Sequence, residues 1–260
     1  MTGMLDYDAA TSRRIEQTYT TPDVVEQRAQ VLAALALRPG ERVLDIGSGP
    51  GLLAWQMAAA VGADGRIDGI DPSESMLSLA AARDDVRVGA APVVFRRGDT
   101  ESIPLPDASV DVAVATQVLE YVADIPRALA EMYRVLRPGG RVLVLDTDWE
   151  SVVWHSRDPG RMARVLTAWE AHLADPYLPR RLGSELRRAG FDVDRAFVWP
   201  LLNVGYVAQT YSGGLIELVA AFIGNRGHTE GEAWAADLCS LGEDYFFSLN
   251  RYLFCATKPV

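Results

Sequence analysis

Residues 43–51 read VLDIGSGPG, with glycines at alternate positions directly after an apolar run. RVLDI at 42–46 has the composition of a buried strand, and LLAWQMAAAV at 52–61 that of a helix. The glycines therefore lie in a strand-to-helix turn, where the backbone can approach a ligand closely. A dinucleotide loop follows G-x-G-x-x-G/A. Started at Gly47 the pattern fails at Leu52; started at Gly49 it fits as GPGLLA, ending on Ala54. There is no Gly-Lys-Ser/Thr, which excludes a Walker loop. Asp45, two residues before Gly47, is aimed into this loop. A carboxylate there would repel a pyrophosphate by several kcal/mol where water is excluded. It would attract an ammonium group, while the loop N–H groups and the helix N-terminus suit one carboxylate. The loop thus reads as a seat for an amino-acid group.

Working outward, strands and helices alternate. Thr21-Pro22-Asp23 starts a helix that Pro39-Gly40 ends. After the loop come the strand GRIDGID, the helix SESMLSLAAAR, the strand VVFRRGD and the strand VDVAVAT. The helix IPRALAEMYRVL, stopped by Pro138-Gly139-Gly140, and the strand RVLVLDT follow. This order implies a parallel sheet with right-handed crossovers and ligands at the carboxyl ends of the strands. YLPRRLGSELRRAGF reads as a further helix, VDRAFVWP as a strand, and DYFFSLNRYLFCATKP as the last strand, forming an antiparallel pair at the sheet edge. The expectation is one α/β domain with a Rossmann-like seven-stranded sheet, mostly parallel with an antiparallel last strand, and helices on both faces. Residues 22–146, 179–199 and 244–260 form the core, and 1–21, 147–178 and 200–243 a helical cover over the ligand face.

Two more acids stand at strand ends. Asp71 closes the second strand, where two carboxylate oxygens suit the hydroxyls of a ribose. Asp99, in Gly98-Asp99-Thr100 after the third strand, can accept from the exocyclic amine of a purine. Acids for an ammonium, a diol and an aminopurine, with no phosphate clamp, describe S-adenosylmethionine.

Four segments, VLDIGSGPG, IDGIDPSESML, GDTESIPLPDASVDVAVATQVLEYV and ALAEMYRVLRPGGRVLVLD, stand in an order and spacing that resembles the class I S-adenosylmethionine-dependent methyltransferases. The resemblance points to the branch with ubiquinone/menaquinone-type and many natural-product enzymes. It covers residues 24–146 strongly and the rest more weakly. It implies that Asp45, Gly47, Ser48, Gly49 and Gly51 surround the methionine part and that Asp71 binds the ribose. Pro72 and Met76 would flank the adenine, Asp99 and Thr100 would meet its edge, and Gln117 would lie near the sulfonium. The cofactor is then S-adenosylmethionine and the product S-adenosylhomocysteine.

Composition narrows the partners. The chain has 260 residues, 49 % of them hydrophobic, and a net charge of −10, which disfavours nucleic acid. Charged residues within the first twenty, and no apolar stretch long enough to span a bilayer, lead us to expect a soluble cytoplasmic protein without membrane association. Cys239 and Cys255 are too few for a disulfide framework or a cysteine-rich zinc site, and no catechol-type acidic metal site is evident. The oligomeric state is not set by the sequence; a homodimer is compatible with it.

The segment after the fourth strand, ATQVLEYV, lacks the Pro-Pro-Tyr pattern of enzymes that methylate DNA amines, which points to a small-molecule acceptor. The cover holds many rings, among them Trp149, Trp154, Trp169, Tyr211 and Trp234, favouring a flat, aromatic or natural-product-like acceptor, methylated on carbon, nitrogen or oxygen. Tyr19 and His155 are the candidate catalytic groups, with Glu120-Tyr121 also placed for proton work; His172 and His228 read as surface residues. Two other readings stay open: a cofactor-binding protein that does not methylate, and a nicotinamide-dependent oxidoreductase using GPGLLA.

Overall fold

The computed structural model describes residues 8–83 and 88–260; the part of the expected cover in residues 1–7 lies outside the described residues. The parallel core runs β1 (Arg42–Ile46), α3 (Leu52–Val61), β2 (Arg66–Asp71), α4 (Glu74–Ala82), β3 (Val93–Arg97), β4 (Val110–Thr116), α5 (Ile125–Val135) and β5 (Leu136–Thr147). It is preceded by α1 (Ala9–Tyr19) and α2 (Pro22–Leu35). Beyond it come β6 (Val153–Trp154), α6 (Pro159–Glu170), α7 (Pro179–Arg188), β7 (Asp192–Val204), α8 (Tyr211–Asn225), α9 (Gly231–Cys239) and β8 (Phe246–Thr257).

The sheet order is β3-β2-β1-β4-β5-β8-β6, with β7 on the other side of β8. β1 to β5 are parallel, and β8 runs antiparallel to β5, β6 and β7. The antiparallel last strand is as expected; the sheet has eight strands rather than seven. The extra one, β6, takes the edge of β8 that β5 leaves free: β5 pairs with β8 as far as Thr147↔Arg251, and β6 pairs Val153↔Ser248 beyond it. β7 continues past Trp199 through Pro200 to Val204↔Phe246, so residues 200–204 are strand and not cover. Proline is tolerated there because the outer side of β7 carries no ladder.

Each sheet face carries an apolar layer. α5 buries Ile125, Ala128, Leu129, Met132 and Val135, the three-to-four spacing of one helical stripe, in the layer that also holds Leu182 and Leu186 of α7. α2 and α3 cover the opposite face through Val31, Leu35, Met57 and Val61. A third cluster, rich in rings, holds the cover together around Trp154, Trp234, Tyr245 and Phe247. Asp23 joins cover to core: it stands in the first turn of α2 and accepts the N–H of Tyr211 at the start of α8 (2.9 Å).

α5 ends three residues before Pro138, and the lysine at 258, the chain's only one, explains how. Lys258 Nζ donates to the Tyr133 and Leu136 carbonyls, each at 2.7 Å, satisfying acceptors that a helix end leaves open. Lys258→Met strips these donors and is expected to lower the unfolding free energy by about 1–3 kcal/mol. Urea unfolding would show a lower midpoint at unchanged slope; an unchanged midpoint would show the amine adds nothing there.

Candidate active site

β1 lies between β2 and β4, the point where chain order reverses, and its register sets Ile46 beside both Ile70 and Ala115. A cavity of about 450 Å³ opens over these carboxyl ends. The glycine loop bounds one side with Gly47, Gly49 and Gly51 at φ of 63°, 50° and 77°. A Cβ on Gly47 would come within 2.4 Å of Val118, and one on Gly51 within 2.8 Å of Phe95, so both need glycine for space as well as conformation.

The loop is tied down by its own N–H groups. Ser48 N donates to Ile70 O, Gly49 N to Asp71 Oδ2 and Gly51 N to Ser48 O, each at 2.9 Å. These three donors are therefore spent within the protein, which leaves the N–H groups of the first turn of α3 at the loop. Asp71 Oδ1 accepts from Ser73 N at 2.8 Å; burial pushes this carboxyl up while the Ser73 and Gly49 N–H groups pull it down. Asp45 is 2 % exposed and does not line the cavity; its Oδ2 has no partner. Burial, and secondarily the charge of Asp71, pushes it up to about 8.

Tyr19, Gly47, Gly49, Asp71, Pro72 and Met76 line the cavity, and so do Asp99, Thr100 and Gln117. Ser48 lines a smaller neighbouring cavity, and Gly51 turns the chain into α3. Gln117 adopts φ 58°, strained for a non-glycine residue, and is pinned by its N–H on Leu145 O (2.7 Å) and by the Thr147 hydroxyl on its Oε1 (2.6 Å). Tyr19 comes from the C-terminal end of α1, and burial raises its phenol well above the usual range.

Two histidines lie opposite to where the sequence reading set them. His155 is exposed and absent from the cavity: its N–H bonds Phe246 O (3.0 Å), continuing the β6 pairing outward along the sheet edge. His172, expected at the surface, is 2 % exposed and lines the cavity among Trp149, Trp169 and Phe222. The chain bends inward after α6 because Ala174 N and Asp175 N both donate to Glu120 O, at 2.9 and 3.1 Å. His172 Nδ1 faces the Trp169 carbonyl, an acceptor, so Nδ1 carries the proton and Nε2, buried and unpartnered, presents a lone pair. Burial pushes its pKa down to about 4.

Glu120 lies at the same end of the cavity, 1 % exposed, its Oε2 accepting from Trp149 Nε1 (3.1 Å) and Thr147 N (3.3 Å). Burial pushes it up to about 7, with Arg251 the main opposing charge. Asp146 beneath it is held well above the usual range by burial and by the charge of Glu120. Sequence reading missed Arg251, buried to 1 % exposure on β8. The signal was present: Phe247, Leu249, Arg251, Leu253 and Cys255 alternate as the inward face of one strand.

Residues 44–144 match the model of a methyltransferase domain. The demethylmenaquinone methyltransferase of Symbiobacterium thermophilum is 32 % identical over 204 residues, covering 69 % of this chain and 78 % of that protein. The solved phosphoethanolamine N-methyltransferase 2 of Haemonchus contortus, in complex with S-adenosyl-L-methionine, superposes with a TM-score of 0.62 at 18 % identity, covering 98 % of this chain and 58 % of that one. The cyclase SpnF superposes at 0.57 with 26 % identity, covering 90 % of this chain and 81 % of that one. The chain spans about half the length of other curated relatives it matches, 55 % of one and 48 % of another. With the loop, the strand-end acids and the reversal point in place, these likenesses show that the chain belongs to the S-adenosylmethionine-dependent methyltransferase family.

Proposed function

We propose that the protein methylates a small aromatic acceptor, of quinone or natural-product type, using S-adenosylmethionine and releasing S-adenosylhomocysteine. The observation that carries this is a single cavity with strand-end acids at one end and Trp149, Trp169, Tyr211 and His172 at the other. When bound, the cofactor supplies a methyl group on a sulfonium, transferable in line to a nucleophile.

The residues fit such a cofactor. Asp71 suits the ribose diol, and Asp99 and Thr100 suit the adenine edge between Pro72 and Met76; Asp45, behind the lining with an unpartnered buried oxygen, puts a carboxyl under the loop on the ammonium side. Gly47, Ser48, Gly49 and Gly51 shape the bed, and Gln117 lies beside it. Tyr19 stays a phenol, so it closes the cavity and donates rather than accepts a proton. His172 is neutral above about 4 and offers a lone pair to a substrate hydroxyl. Glu120, titrating near 7, takes the proton that the acceptor must lose. Ring faces position a flat acceptor and exclude water.

Among the described residues no helix is long and apolar enough to cross a membrane. We place the activity in the cytoplasm, on a small molecule rather than nucleic acid, in keeping with the charge of −10. The likeness to a cyclase supports a second reading, in which bound cofactor assists another reaction without losing its methyl group.

Incubation with methyl-labelled cofactor and demethylated quinones or phenolic natural products distinguishes the two readings. Labelled product supports methylation; tight cofactor binding with no label transferred to any acceptor favours the second. For Glu120, the charged form is the working one, so turnover should rise with pH to a midpoint near 7. Glu120→Gln should remove that limb and lower kcat/KM by about 10²- to 10⁴-fold. Asp45 gives an opposed pair of effects. Its folded pKa lies above its ordinary value of 3.8, so its contribution favours folding below that value and is lost as pH rises through about 8. Asp45→Asn should stabilise the ligand-free protein more at pH 8.5 than at pH 5, by roughly 2–4 kcal/mol. It should weaken S-adenosylhomocysteine binding about tenfold or more.

A further inference from the structure

The sheet ends in three antiparallel strands, β7, β8 and β6, whose register sorts their side chains by face. Residues paired across strands share a face, and neighbours along a strand alternate. Leu201, Leu249, Phe247 and Trp154 share one face and are buried in the ring-rich cluster under the cover. On the other face β7 sets Val198, Pro200, Leu202 and Val204. Tyr252, Asn250, Ser248 and Phe246 of β8 lie opposite them, and Val153 of β6 lies beside Ser248.

The solvated face of an antiparallel pair is ordinarily polar. Here the outward positions of β7 from 198 to 204 are all apolar, and none of the positions just named is charged, in a chain of net charge −10. Val153, Val198, Leu202, Val204 and Phe246 are each between 38 % and 67 % exposed. With Pro200 they leave on the order of 500 Å² of apolar surface in water, in the range of patches that carry an interaction. None of these residues lines either cavity, so the patch is separate from the site.

The chemistry of the patch selects its occupant. A strand added to the free edge of β7 is poorly served. Asn250 gives its N–H to Ser151 Oγ (2.9 Å) and its carbonyl to Asp148 N (3.3 Å), both away from β7. Opposite it the main chain of Pro200 therefore faces the free edge, where proline has no N–H to donate. A membrane surface is poorly served as well, because the patch brings no lysine or arginine and the acidic chain is repelled by an anionic leaflet. A second copy meets both conditions. Around a two-fold axis a charged side chain near the axis would face its own charge, and this patch has none. Ser248, Asn250 and Tyr252, partly exposed, extend the apolar area toward the about 800 Å² per partner that a stable interface of standard size buries. We infer that the protein forms a two-fold homodimer in which the outward faces of β7 and β8 pack together, sheet on sheet.

Sedimentation velocity on the whole chain tests this. Wild type should sediment as a dimer at micromolar concentration. Leu202→Lys and Val204→Lys should each weaken association by about 30-fold or more. Leu202→Ser, a milder change at the same outward position, should also weaken it. Urea midpoints should match wild type under conditions where all are monomeric, since these side chains leave the fold's own core untouched. Phe197→Lys, an exposed ring on the opposite face, should leave the dimer intact. Mixing a Leu202→Lys/Val204→Lys chain with a Leu202→Glu/Val204→Glu chain should recover a dimer that neither forms alone. Wild type that stays monomeric overturns the inference, and so does a dimer that all of these outward substitutions leave unchanged. Monomeric wild type that binds phosphatidylcholine vesicles, with binding lost in Leu202→Lys, also overturns it and gives the patch to lipid.

Discussion

The carboxylate of Asp71 is the tie on which the site depends. One oxygen takes the N–H of Gly49 in the loop after β1, and the other takes the N–H of Ser73 at the start of α4. Two strand ends, one loop and one helix start are thereby fixed by a single side chain, at a place where the parallel register already sets Ile46 beside Ile70. The left-handed glycines let the loop turn tightly enough to reach it. Because the tie uses one lone pair of each oxygen, Asp71 keeps acceptor capacity toward the cavity it lines.

Charge around this tie is sorted rather than balanced pair by pair. Asp45 is buried below the loop, and Glu120 and Asp146 are buried at the ends of β4 and β5. The cations Arg28 and Arg251 line the smaller cavity beside the loop. Burial raises the acids toward neutrality, and at Glu120 the charge of Arg251 offsets the rise only in part. An ion-paired structural network would pull them the other way, as Arg141 and Arg38 N–H do for Glu41 at the far end of the sheet. The acids at the site are instead left able to meet a ligand that brings a positive charge or hydroxyl donors.

The cover divides its rings by task. Trp154 packs edge-on against Trp234 and Phe247 and donates its N–H to the Tyr245 hydroxyl at 3.1 Å; this group is a core of its own. Trp149 and Trp169 surround His172 and face the cavity. Trp149 also holds Glu120 through its indole N–H, so one side chain orients the buried carboxyl and forms part of the ring wall. The close approach of α1 to α8, where a Cβ on Gly214 would fall 2.3 Å from Thr18 Oγ1, brings Tyr19 over the same opening.

By itself the sequence determined the parallel core, because each of its signals is local. Alternation, glycine spacing and proline stops mark strands and helices within a few residues, and an acid at a strand end must reach the ligand crevice of such a sheet. Asp71 and Asp99 were legible for that reason, and Gln117 only through the resemblance of its segment to the family. Only the tertiary structure decided what long-range contacts decide. Nothing local to EAHLAD marks His172 as buried, since its burial comes from N–H groups two and three residues later binding Glu120 O, more than fifty residues away in the chain. Nothing local to VVWHS sends His155 outward, since that follows from β6 pairing with a strand more than ninety residues on. Arg251 lies between these cases. Its place on an inward-facing register was written in the alternation of β8, but its contacts with Gln27 and the Tyr211 ring emerged only when α2, α8 and β8 came together.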